Sequence, residues 1–179
     1  YSLGGFSRPS LGYDTGWVNS LTYETPNLGG FTASLQYAPK ETTASGDDVK
    51  NSFAISGAYN AGPLSVMAVY TDSGDTSGAY FDRQKNWGLG ASYDFGVLKL
   101  QGQFSQVKSY ENGSDDGKAK FFQLGATVPV TSAGNLLVSY GQTKYDDGYL
   151  FADGAKLKQI AVGYDHSISK RTGAYVGFT

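Results

Sequence analysis

Residues 18–38 read VNSLTYETPNLGGFTASLQYA. Apolar side chains recur at every second position on both sides of a stretch rich in Pro, Asn and Gly: Leu21 and Tyr23 before it, Phe31, Ala33, Leu35 and Tyr37 after it. A period of two places one set of side chains on one face of a strand and the intervening set on the other, and the Pro-Asn-Gly stretch between them is turn chemistry. The segment is therefore a hairpin with one apolar face. That face has to be removed from water, against either a protein core or a lipid bilayer.

The same period runs along the whole chain. Ten strand-sized runs follow one another at about 18–24, 30–38, 52–60, 63–71, 86–94, 97–107, 119–130, 135–144, 157–166 and 172–179, divided by Gly, Asn, Asp, Ser and Pro clusters, and helix signals are missing throughout. The connections alternate in length. TPNLG (25–29), AG (61–62), FG (95–96), TSAG (131–134) and SISKR (167–171) are short, whereas 39–51, 72–85, 108–118 and 145–156 each read as loops of more than ten residues. Strict short-long alternation gives a sheet with tight turns at one end and long loops at the other, the asymmetry of an outer-membrane barrel.

A soluble up-and-down barrel shares the period, so the placement of the aromatics has to separate the two. On the apolar face several runs read large-small-small-large, as in Phe53-Ile55-Gly57-Tyr59 and Trp87-Leu89-Ala91-Tyr93. Tyr23, Tyr59, Tyr93 and Tyr164 fall just before short turns, while Tyr37, Tyr70, Phe104 and Tyr140 lie toward the long loops. Two ring belts flanking an aliphatic band fit two membrane-water interfaces. The opposite phase, including Thr22, Gln36, Ser56, Asn60, Ser92, Gln101, Gln103, Gln123 and Ser139, is small or hydrated and implies a wet lumen, with Met67 and Val69 as exceptions.

Composition narrows the function classes. The 179 residues carry 14 Lys and Arg against 16 Asp and Glu with no basic stripe along the chain, so nucleic acid is not an expected partner. With no cysteine, thiolate metal sites and thiol nucleophiles are absent from this chain. The longest apolar run, Val66-Met67-Ala68-Val69-Tyr70, falls far short of the ~20 residues of a membrane-spanning helix.

Two stretches carry a family resemblance. VNSLTYETPNLGGFTASLQYA and VGYDHSISKRTGAYVGF (162–178) resemble the paired hairpins of the Gram-negative general porins, especially the beta-proteobacterial and neisserial branch, with Leu28 and Gly173 as mild variations. The resemblance implies an all-β, transmembrane, antiparallel up-and-down β-barrel of the sixteen-stranded trimeric type, of which this chain corresponds to about strands six to fifteen. Residues 1–179 then form a segment of a single barrel domain in the outer membrane, an expectation shared by the turn pattern, which leaves both ends of the chain on the long-loop side. For residues 1–17 the resemblance implies the tail of the inward-folded constriction loop, with Arg8 and Asp14 near the narrowest point; a poorly ordered end is the alternative.

The chain offers little catalytic chemistry. His166 is the only histidine, and Asp165 beside it points to the opposite face of a strand, so no base, orienting group and nucleophile converge; no enzymatic activity is expected. Gly88-Leu89-Gly90 lies inside a strand and is not a phosphate cradle. Twelve of the acidic residues lie in or beside the long loops. They read as a solvated surface, with loop-bound Ca²⁺ or Mg²⁺ bridging lipopolysaccharide phosphates at pairs such as Asp115-Asp116 as the alternative, and no other cofactor is expected.

Charge within the runs is confined to few places. Lys99 sits inside VLKLQGQFSQV (97–107) in phase with Gln101 and Gln103, while every other Lys and Arg falls in a loop, a turn, the N-terminal segment or the fringe of a run. Its phase points it to the lumen; the alternatives are reach to the near interface or a pair with Asp94. The expected function is a water-filled channel for passive diffusion of small hydrophilic solutes and ions. Arg8, Asp14, Glu24, Lys99, Gln101 and Gln103 are the expected lining residues, and lipid, lipopolysaccharide and two further copies of the chain the expected partners. An outer-membrane barrel enzyme or adhesin working through its long loops, or a soluble β-barrel carrier, are the competing readings.

Overall fold

A computed structural model describes residues 17, 19–42, 48–74, 83–111, 114–146 and 153–179. Its strands are β1 (Leu21–Glu24), β2 (Phe31–Ala38), β3 (Glu41–Thr42), β4 (Asp48–Val49), β5 (Ser52–Ala61) and β6 (Leu64–Ser73), then β7 (Arg83–Asp94), β8 (Lys99–Glu111), β9 (Ser114–Pro129), β10 (Gly134–Asp146), β11 (Lys156–Ser167) and β12 (Gly173–Phe178). Ten of them make one sheet in chain order, β1-β2-β5-β6-β7-β8-β9-β10-β11-β12, every neighbouring pair antiparallel. The ten runs expected from the period are these ten strands, and no helix occurs among the described residues. Missed by the sequence reading is the small β3-β4 ribbon inside the 39–51 loop.

One expected loop is not a loop. Residues 108–118 are mostly strand: β8 continues to Glu111 and β9 begins at Ser114, with a register irregularity at Ser109/Tyr110. Charged residues mark a loop only where a strand would bury them. Here Lys108 and Lys118 stand opposite each other on one face while Ser109 and Gly117 pair on the other, so the ladder runs on past the apolar zone without placing charge in it.

The first turn is tighter than TPNLG suggested. The chain reverses at Gly29 and Gly30, and Leu28 and Phe31 exchange both backbone hydrogen bonds, at 2.8 and 3.3 Å. Both glycines have positive φ, +65° and +98°, the requirement of a two-residue turn whose twist matches the flanking strands. The Asn27 side chain accepts the Gly30 N–H at 2.6 Å, and Thr25 bonds Ala33 through both its N–H and its hydroxyl, so Pro26 interrupts the ladder without opening the hairpin.

The register sorts the side chains into two faces. Tyr37, Phe53, Tyr70, Trp87, Phe104, Phe122 and Tyr140 share one face, and three of the ring pairs along this line are in contact, with centroids 5.6 Å apart for Phe53–Tyr70, 5.2 Å for Trp87–Phe104 and 5.7 Å for Phe122–Tyr140. At the opposite end of the sheet the Tyr93 and Phe95 rings lie 4.6 Å apart. From Trp87 to Tyr140 the line steps down the register rows, which is how a level girdle crosses tilted strands. Toward the short turns Leu35, Ile55, Leu89, Leu124 and Ile160 fill the same face, and all of them are exposed, Leu124 and Ile160 at 62% and 64%. Among the described residues most large apolar side chains are exposed, and only Ala38, Val107, Ala119 and Ala161 form a buried hydrophobic set.

Gly29 and Gly30 differ in one respect: a Cβ on Gly29 meets open space, whereas one on Gly30 would lie 2.3 Å from the backbone oxygen of Asn60. Gly29→Ala is expected to cost about 1–2 kcal/mol for the left-handed backbone alone. Gly30→Ala adds a collision with a strand of the sheet and should lower the urea midpoint of the membrane-reconstituted protein clearly further. Equal midpoints for the two variants would show that the close approach to Asn60 is not a constraint.

Candidate functional site

The second face is built from the remaining phase. Between β5 and β10 it forms a depression lined by Asn60, Ser65, Met67, Ser92, Gln101, Gln103, Gln123, Leu137 and Ser139 with Gly90 and Gly125, and none of the lining residues is charged. Alternation puts these groups here: Gln101 and Gln103 alternate with Leu100, Gly102 and Phe104 on β8, and cross-strand pairing sets Gln103 against Gln123. The Gln103 Nε2 donates to Gln123 Oε1 at 2.8 Å. The wall is thus mainly amide, hydroxyl and glycine, with Met67 and Leu137 as apolar members, able to exchange hydrogen bonds with water or a solute.

Met67 and Val69, two of the apolar residues in the inward phase, have a local explanation. Val69 stands opposite Gly88 and Met67 opposite Gly90, and a Cβ on Gly90 would come within 3.1 Å of the Met67 Cγ. Each large side chain lies over a glycine, so the wall stays low.

Toward the long loops the inward phase is covered. Asn86, Val107, Ser109, Ala119 and Thr143 are at most 1% exposed, with Phe121 and Tyr145 packed on Val107 and Ala119. The open part of the inward face is therefore the middle and the short-turn end.

The expected lining residues separate. Lys99, Gln101 and Gln103 share the inward phase of β8, and Lys99, opposite Asp94 and Thr127, is exposed at its short-turn end. The Asp94 carboxylate accepts the Gly96 N–H at 2.8 Å, and no ion pair joins it to Lys99 among the described residues. Glu24 is exposed at the end of β1 in the phase of Thr22. Arg8 and Asp14 lie outside the described residues, as does the body of the 1–17 segment, and nothing is described of the Asp115 and Asp116 side chains. Gln123, which the sequence places in the polar phase but which is not among the expected lining residues, joins Gln103 across the strands. His166 is on the outward face with its Nδ1 3.0 Å from the Tyr164 hydroxyl, whereas Asp165 is on the inward face and accepts from the Asn135 amide at 2.8 Å. The two do not meet.

The polarity of the two faces, the turn asymmetry and the ten-strand order agree with what known proteins show. The family model for Gram-negative porins matches residues 1–179. The chain belongs to the Gram-negative porin family. It is 36% identical over 159 residues to outer membrane porin protein 32 of Delftia acidovorans, covering 88% of this chain and 44% of that protein. It is 23% identical over 215 residues to an outer membrane porin protein of Bordetella pertussis, covering 96% of this chain and 55% of that protein. Among solved structures, an anion-selective porin from Comamonas acidovorans superimposes with a TM-score of 0.74 at 34% identity, over 87% of this chain and 46% of that one. Salmonella typhi OmpF, in complex with daunomycin, shares the fold at 18% identity with a TM-score of 0.68, over 89% and 53%. The porin chain described here spans about half the length of the curated relatives it matches. Its sheet is one wall of an outer-membrane β-barrel, with one face rich in amides and the other girdled by rings.

A bulky side chain added to the inward wall should occupy volume that water and ions would use. Ser139→Trp is expected to lower the single-channel conductance of the reconstituted whole protein, and Val138→Trp, one residue away on the outward face, to leave it unchanged. Equal effects of the two substitutions would contradict the assignment of faces.

Proposed function

We propose that this porin segment forms part of the wall of a water-filled channel through which small hydrophilic solutes and ions diffuse passively across the outer membrane. The observation that carries the proposal is the segregation of the two phases: a mainly amide, hydroxyl and glycine surface with sparse charge on one side, and exposed aliphatic side chains between two ring girdles on the other. A wall of this kind replaces part of the hydration shell of a passing solute without holding it. No chemical step is assigned. An apolar outward face that meets lipid over most of its extent can, over one part of it, pack against a different part of a neighbouring copy, the head-to-tail contact that a homotrimer requires of the assembled form.

Fixed charge on this wall is sparse. Among the described strand residues the inward phase carries Glu24, Asp94, Lys99 and Asp165, and the carboxylates of Asp94 and Asp165 already accept local hydrogen bonds. Lys99 is the sole cation of that set. Placed on the lipid face, a lysine would cost up to about 2–4 kcal/mol near the midplane; on the inward face it remains hydrated and raises the local concentration of anions.

Stepwise ohmic conductance in a planar bilayer tests the channel, and ligand binding by a closed barrel would favour the competing readings. Lys99→Glu should shift the zero-current potential in a salt gradient toward cation preference while conductance persists. The shift should shrink in concentrated salt, where the screening length falls to about 3 Å at 1 M. An unchanged potential at low salt in a correctly folded variant would remove Lys99 from the permeation path.

A further inference from the structure

The inward wall carries more order than wetness alone requires. One register row crosses six strands as Asn60 on β5, Ser65 on β6, Ser92 on β7, Gln101 on β8, Gly125 on β9 and Ser139 on β10, each directly opposite the next. The next inward row toward the long loops sets Met67, Gly90, Gln103, Gln123 and Gly141 opposite one another. Neighbouring strands stand about 4.8 Å apart, so the first row offers uncharged hydrogen-bonding groups at short, regular intervals. Long side chains in these rows lie over glycines. A Cβ on Gly125 would come within 3.1 Å of the Gln101 Nε2, one on Gly90 within 3.1 Å of the Met67 Cγ, and one on Gly141 within 3.8 Å of the Gln123 Cγ. Amides and thioether are thus seated on the wall, and the depression they border has a volume of about 370 Å³. That is the lower end of the about 300–1,000 Å³ of small-molecule sites.

The polar groups of the depression are open to a ligand. Among the described residues the side chains of Asn60, Ser65, Ser92, Gln101 and Ser139 have no hydrogen-bond partner. Gln103 donates to Gln123, which leaves the Gln103 Oε1 as an acceptor and the second Gln123 N–H as a donor. Charge stays outside. Lys99, opposite Asp94, stands one inward position nearer the short turns and does not line the depression. The other strand cations, contrary to the expectation that they fall in loops and fringes, keep the outward parity in rows beyond the rings, Lys85, Lys108, Lys120, Lys144 and Lys158 among them.

We infer that this depression is a weak binding site for a neutral, polyhydroxylated solute the size of a sugar ring. The inference rests on the channel reading and deepens it, because it names the class of solute that the wall slows in passing. The lining itself selects among chemistries. An ion would give up hydration to a surface that carries no opposite charge. An apolar solute would leave the amides without partners. A ring with neighbouring hydroxyls donates and accepts as the amides and serine hydroxyls do, and its C–H face meets Met67 and Leu137.

The test follows binding of methyl α-glucopyranoside, a neutral glycoside, to the whole protein in lipid nanodiscs by saturation-transfer NMR, over about 1–300 mM, the range in which a weak site fills. Binding should saturate, and the glucuronate anion should bind more weakly. A double variant, Gln101→Leu with Gln123→Leu, removes donors and acceptors at nearly constant bulk. Each amide is worth about fivefold, so this variant should bind the glycoside roughly twentyfold more weakly. A control, Gln106→Leu with Gln142→Leu, changes amides of the outward parity and should bind as the native protein does. A signal that stays linear with the native protein, tighter binding of glucuronate than of the glycoside, or full binding by the double variant would overturn the inference. Should the double variant fail to fold, Ser92→Ala with Ser139→Ala decides: weaker binding sustains the inference and unchanged binding overturns it. Conductance of the same preparations in planar bilayers keeps the two readings apart. Normal conductance without glycoside binding defeats only this inference, and absent conductance with intact glycoside binding defeats only the channel.

Discussion

An antiparallel hydrogen-bond ladder running from Leu21 to Phe178 is the constraint on which everything else in this protein depends. In hydrocarbon no water pairs with a backbone N–H or C=O, so a chain that crosses a membrane as strands has to pair each strand with its neighbours. Ten strands in chain order meet that requirement by pairing each strand with the next one in the sheet, and the two-glycine reversal at Gly29 and Gly30 shows how little chain a turn needs when φ is free. Once the ladder is fixed, the pleat leaves each side chain only two directions. The division between lipid and water then follows from which residue occupies which parity.

That division accounts for the features that look irregular in isolation. Met67 and Val69 stand in the wet phase because Gly90 and Gly88 opposite them give up the space. The ring line from Phe53 to Tyr140 crosses register rows because the strands tilt while the membrane edge does not. Strands β8 to β10 run 13, 16 and 13 residues, longer than the about 9–11 needed to span, and the excess carries the basic rows beyond the rings. A single parity therefore changes partner along its length, from hydrocarbon at Leu89 and Leu124 to water and charge at Lys85 and Lys120.

Much of this is legible in the residues. Period two, the turn chemistry and the alternation of connection lengths specify all ten strands of the sheet, and the parity of Gln101, Gln103 and Ser139 specifies the polar face. Where the reading fails at 108–118, it fails because charge does not by itself mark a loop. Lys108 and Lys118 keep the parity of Phe104 and Phe122, so the period continues through 108–118 while the hydropathy does not, and the period is the better guide. The β3-β4 ribbon is two residues on each side and carries too short a pattern to recognise. Lys99 is placed by parity alone, and its exposed position in the inward phase opposite Asp94 and Thr127 is consistent with that placement.

The measurement that bears most directly on this account is a spin-label scan of β8 in the reconstituted whole protein, reading collision with oxygen dissolved in lipid against collision with a water-soluble nickel chelate. Oxygen contact should dominate at Leu100, Gly102 and Phe104 and chelate contact at Gln101, Gln103 and Ser105, with the outward parity passing from oxygen to chelate between Phe104 and Lys108. Equal oxygen contact at Gln101 and Leu100, with no alternation along the strand, would contradict a wall that has lipid on one side and water on the other.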